Sequence, residues 1–144
     1  MIGNKPKKVS FHYQVRSFSF RNRHAVKQRI DSLFKSERKK FESINYIFCS
    51  DKFLLSINQN FLHHDSYTDI ITFNLAEKNK PVIGEIYISI DRVLDNSKKL
   101  HESFSRELLR VIFHGALHLC GYKDKTQKAT ILMRKREDFY LNKA

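Results

Sequence analysis

The stretch from Leu108 to Leu119 restricts the fold more than any other part of the chain. Leu108, Leu109, Val111, Ile112, Phe113, Ala116, Leu117 and Leu119 would make a helix apolar on nearly every face. Such a helix has to lie inside the molecule with other elements around it. Two histidines, His114 and His118, interrupt the apolar surface. At ~100° per residue, positions four apart differ by ~40° and lie one turn apart on one face. Both imidazoles therefore reach toward one point. Gly121 can take a left-handed conformation, stop the helix and fold the chain back. Asp124 then brings an oxygen to the same point. Two imidazoles and a carboxylate, with a fourth position open, are the ligand set of a catalytic zinc. On spacing alone, the commoner meaning of a histidine pair is a hydrogen-bonded couple in a core. The glycine stop, the placed acid and the need of buried imidazoles for partners favour one Zn2+ ion held by His114, His118 and Asp124.

Periodicity supplies the rest of the frame. Val9, Phe11, Tyr13 and Val15 alternate with polar residues and predict a strand. Ala25, Val26, Ile30, Leu33 and Phe34 predict a helix near 21–36. Ile44, Tyr46 and Phe48 mark a second strand, and Asp51 is placed to cap a helix carrying Leu54, Leu55, Ile57 and Phe61. A loop around 63–67 leads to a third strand near 69–75. Asn79-Lys80-Pro81 reads as a turn before a fourth strand at about 82–90, with Val82, Gly84, Ile86, Ile88 and Ile90 on one face. Asp91 opens a short helix, the histidine helix spans roughly 103–120, and a last helix near 126–141 is amphipathic through Ala129, Leu132, Met133 and Phe139. Strands come early and helices late. This order predicts an α+β fold: a small mixed four-stranded sheet packed with about five helices, in one domain over residues 1–144.

Charge narrows the partner. The chain has 27 basic and 15 acidic side chains, a formal net charge of +12. Such an excess favours a polyanion, because phosphate neutralisation releases counterions. The basic residues are dispersed: Lys5, Lys7 and Lys8; Arg38, Lys39 and Lys40; Lys123, Lys125 and Lys128; Arg134, Lys135 and Arg136. Lys123 and Lys125 flank Asp124, where a phosphate would approach. No apolar run nears the ~20 residues that span a bilayer. The basic N-terminus leads into an alternating strand instead of an apolar signal core, so a cytoplasmic location without membrane contact is expected. Cys49 and Cys120 sit in apolar surroundings and read as buried thiols. Cys120, ~200° around the helix from His118, is a poor fourth ligand.

His114-Gly115-Ala116-Leu117-His118-Leu119-Cys120-Gly121-Tyr122, followed by a third ligand, resembles the signature of the YbeY family of bacterial endoribonucleases and ribosomal RNA maturation factors. Asn58, Asp65 and Thr68-Asp69-Ile70-Ile71-Thr72-Phe73 are similar to a second family block, and Gly84-Glu85-Ile86-Tyr87-Ile88-Ser89 to a third. The resemblance extends over roughly residues 9–140. It implies a zincin-like metal helix in the core. It also implies a zinc-dependent, single-strand-specific endoribonuclease acting in 16S ribosomal RNA 3′-end maturation and late ribosome quality control, with the ribosome or its 30S subunit as partner. Two positions depart from the family. Asp124 stands where a third histidine is usual, and carboxylate oxygen is an acceptable zinc ligand. Leu62 stands where the family has an arginine linked to activity; His63 and His64 follow it and can supply donors.

The chemistry leaves two routes open for RNA, attack by an activated water or by the substrate's own 2′-hydroxyl. The peptidase helix His-Glu-x-x-His carries its general base directly after the first histidine. Here that residue is Gly115, whose expected role is close packing against a strand. Asp69 and Glu85 are the acids to examine, although a turn acceptor and an exposed strand position are their simpler roles. The alternatives are a metal-dependent hydrolase of another bond, such as a peptide bond, and a non-catalytic ribosome-assembly factor with a structural metal.

Overall fold

Alternating and helical periodicities both reach the folded chain in a computed structural model that describes residues 8–63 and 67–143. Among the described residues the elements are β1 (Lys8–Tyr13), α1 (Arg23–Ser36), β2 (Phe41–Cys49), α2 (Asp51–Leu62), β3 (Ile70–Asn74), β4 (Val82–Ser89), α3 (Ile90–Lys99), α4 (Phe104–Leu119) and α5 (Gln127–Asn142). This is the expected order. The strands form one mixed sheet in the order β1-β2-β4-β3. β1, β2 and β4 run parallel, with α1 as the crossover that parallel neighbours require. β3 pairs antiparallel with β4 and forms an edge. The architecture is α+β, and no described helix is long and apolar enough to cross a membrane.

The sheet has two covered faces. Ile44, Tyr46 and Phe48 of β2 join Val82, Ile86 and Ile88 of β4 in the main core, packed against α1, α4 and α5. Cys49, Ile71, Phe73 and Tyr87 point the other way and meet Leu54 and Ile57 of α2. α4 lies in the main core as its composition requires. Leu108, Val111, Ile112, Phe113, Ala116 and Leu117 are each between 0 and 3% exposed. Burying a side chain of the larger kind stabilises by roughly 1.5–3 kcal/mol. A buried bond from the Tyr46 hydroxyl to the Ile112 carbonyl (3.0 Å) ties sheet to helix.

Gly115 sets how closely α4 approaches the sheet. A Cβ there would lie 2.9 Å from Ile70 Cδ1 and 3.1 Å from Ile86 Cδ1. The expected packing role of Gly115 is met, and it brings the histidine face of α4 close to the β3 edge.

Several details differ from the expected pattern. Ser50, not Asp51, caps α2 by accepting from the Phe53 amide (3.1 Å). Ser89 caps α3 in the same way, so Ile90 opens a helix instead of ending β4. The freed Asp51 carboxylate takes Arg92 (2.7 Å) and the Ser89 hydroxyl (2.9 Å), joining the two helix starts. Phe61 is 69% exposed on the last turn of α2, where its neighbour Leu62 lines a cleft. In α5 the buried stripe is Met133, Glu137, Tyr140 and Leu141, while Leu132 and Phe139 are exposed. Ala25 is exposed as well.

Candidate metal centre

The C-terminal end of α4 builds the site. Cys120 ends the helix, and Gly121 follows at φ +106°. The Gly121 amide donates to the His118 carbonyl (3.0 Å) and the Tyr122 amide to the Leu117 carbonyl (3.0 Å). These two bonds make a Schellman turn, which reverses the chain. The reversal returns the Tyr122 carbonyl to His118, whose Nδ1 lies 2.9 Å from it. A carbonyl only accepts, so Nδ1 carries the proton and Nε2 presents its lone pair.

His114 is oriented in the same way by a different group. Its Nδ1 lies 2.7 Å from Oε2 of Glu137 on α5, and the carboxylate accepts. Both Nε2 atoms then face Asp124, whose Oδ2 lies 3.3 Å from His114 Nε2 and 3.2 Å from His118 Nε2. One ligand atom from each residue falls within 4.8 Å of the others. Two imidazoles held at Nδ1, with both Nε2 atoms turned toward one carboxylate, are the arrangement that suits a divalent cation. Burial works against a charged His114, yet Glu137, Asp124 and Asp69 outweigh it and raise its pKa. The negative field that raises proton affinity also attracts a metal.

Glu137 was not among the expected site residues. It is 4% exposed and also meets Arg110 (3.4 Å) and Arg134 (3.5 Å). Its sequence signal is a carboxylate at helical spacing on the apolar stripe of Met133, Tyr140 and Leu141.

The trio opens into a cleft of about 930 Å³ that runs along β3 between α2, α4 and α5. Asp69 lines it, as do Leu62 and Lys125. The Asp69 side chain accepts from Asn96 Nδ2 (3.2 Å) and its carbonyl from the Ser89 amide (2.9 Å), which fits the structural role. Burial pushes its pKa up. Glu85 alternates with Gly84 and Ile86, the residues that face α4, so it points to the other side of the sheet. There it binds the Tyr87 hydroxyl and does not line the cleft. His63 ends α2 in a left-handed conformation at φ 56°. Lys123 is exposed and outside the cleft lining. His64, Asp65, Lys5 and Lys7 lie outside the described residues. Cys49 and Cys120 are free thiols, and burial pushes both up to about 12.

A family model described as Endoribonuclease YbeY matches residues 8–144. The chain belongs to the YbeY family. Curated relatives that carry the name Endoribonuclease YbeY agree. The one from Cytophaga hutchinsonii is 44% identical over 96% of each chain. The one from Flavobacterium psychrophilum is 44% identical over 90% of this chain and 91% of its own. The solution structure of TM1509 from Thermotoga maritima superposes with a TM-score of 0.64 at 27% identity, covering 93% of this chain and 86% of that one. The likeness to TM1509 places the His-Gly-x-Leu-His helix of this chain in a fold already seen in solution.

Proposed function

We propose that the protein is a zinc-dependent endoribonuclease that cuts single-stranded RNA, acting as one domain over residues 1–144. Its cellular role is 16S ribosomal RNA 3′-end maturation and late ribosome quality control in the cytoplasm, on the ribosome or its 30S subunit. The observation that carries this reading is the convergence of His114 Nε2, His118 Nε2 and Asp124 Oδ2 on one point in an open cleft. The YbeY relatives, by name endoribonucleases, and the net charge of +12 support RNA as substrate.

Zinc bound by these three residues supplies Lewis-acid stabilisation of charge on a phosphoryl group. The protein's own part is orientation. Glu137 and the Tyr122 carbonyl fix the two imidazoles by their Nδ1 protons. Gly115 follows His114 with no carboxylate, so this helix lacks the general base of a peptidase.

The test is cleavage of a labelled single-stranded RNA by the full chain as purified, after chelation, after zinc is restored, and with His118→Ala. Chelation and the substitution are each expected to abolish cleavage, and zinc to restore it. A folded, zinc-loaded protein that leaves RNA intact both alone and in the presence of 30S subunits would overturn the reading in favour of an assembly factor.

A further inference from the structure

The charges of the cleft do not follow those of the whole chain. Four carboxylates line it (Asp69, Glu107, Asp124 and Glu137) against three cations (Arg110, Lys125 and Arg134). An RNA backbone entering this cleft therefore depends on where the cations stand and on whether they are free. Arg110 is not free. Its side chain is 11% exposed, and its guanidinium contacts Asp138 (2.9 Å), Glu137 (3.4 Å) and Glu107 (3.5 Å).

The other two cations differ. Arg134 is 54% exposed, and its approach to Glu137 at 3.5 Å is an ion pair without a close hydrogen bond. Lys125 is exposed and directly follows the ligand Asp124. Arg134 stands one carboxylate away from the metal centre, because Glu137 touches both it and His114. The facing wall, from α2, contributes Asn58 and Leu62, neither of which carries charge.

We propose that Arg134 and Lys125 form the phosphate-binding site that seats single-stranded RNA across the metal trio. The inference rests on the ribonuclease reading and adds the binding residues. The phosphate is held from the α5 side of the cleft, whereas Leu62 leaves the α2 side uncharged. Arginine offers paired N–H donors to a phosphate and lysine a point charge, so the two together fix one backbone group in place.

The experiment measures binding of a labelled single-stranded RNA and its cleavage, as a function of salt, with the zinc-loaded full chain. The variants are R134Q, K125Q, the double variant, the double variant with L62R, and K135Q. Lys135 neighbours Arg134 on α5 but does not line the cleft, so K135Q controls for net charge. The double variant should bind RNA about tenfold more weakly, and the slope of log affinity against log salt should shrink by about 0.7 per lost contact. K135Q should change neither by as much, and L62R should recover part of the loss. Zinc content should stay at that of the wild type. The proposal is overturned if the double variant matches wild type, if K135Q is as damaging as R134Q, or if the double variant loses zinc. Wild-type cleavage with an unaffected double variant sinks this inference alone. A wild type that neither binds nor cuts RNA sinks the ribonuclease reading and this inference with it.

Discussion

His114 meets a carboxylate at each ring nitrogen, Glu137 at Nδ1 (2.7 Å) and Asp124 at Nε2 (3.3 Å). The two acids do different work: Asp124 shares the proposed ligand point, while Glu137 turns the ring and makes its Nε2 a stronger electron-pair donor. Glu137→Gln keeps the shape but removes the charge, and its amide N–H2 group opposes the arginines that share the site. Zinc affinity, read by competition with a chelating dye, should fall about 10–100-fold. An unchanged affinity would mean that Glu137 serves only the core. The grouping of His114, His118 and Asp124 was legible, because two histidines one turn apart, a glycine and an acid are local in sequence. Glu137 was not, since its contact depends on how α5 packs against α4.

At the scale of elements, the turn after α4 joins secondary structure to the site. Gly121 holds φ +106° with open space where a Cβ would stand, so backbone strain alone opposes a side chain there. The stability order expected is Gly121, then Gly121→Asn, then Gly121→Ala, with Gly121→Val least stable. Asn tolerates positive φ better than other L residues, and the strain for the rest is about 1–2 kcal/mol. Urea melts check the order, and zinc affinity should fall along it, because the Schellman turn carries both the Tyr122 carbonyl and Asp124. A flat series would detach the turn from the site. Element order and type were readable from periodicity because each strand and helix buries one regular face. Its failures have local causes. The serine just before α2 took the capping position from Asp51, and the serine just before α3 starts that helix at Ile90, one residue ahead of Asp91. α5 buries a carboxylate where Leu132 and Phe139 looked like the better core residues.

At the scale of the whole molecule, distant segments converge on Glu37, just past α1. Its carboxylate accepts from the Tyr122 hydroxyl (2.8 Å), from Arg136 on α5 (2.7 Å) and from the Tyr140 hydroxyl. Sequence separations of 85 to 103 residues hide this cluster from any reading of pattern. The cluster joins α1, the turn after α4 and α5. Burial works to raise the Glu37 pKa, but the bonds from Tyr140, Arg136 and Tyr122 outweigh it and hold the group below its ordinary value of 4.5. A carboxyl depressed by folding adds stability above its unfolded value, and this stability is lost as pH falls through the folded one. Glu37→Gln should therefore be less stable than wild type at neutral pH, by about 1–2 kcal/mol for the weakened hydrogen bonds. The gap should narrow as pH drops below 4.5. Tyr122→Phe removes a single partner and should shift stability less, in the same direction. Denaturant melts of the three proteins over a pH series decide it. A gap that stays constant through the acid range would mean that the cluster stabilises by packing and not by the charge on Glu37.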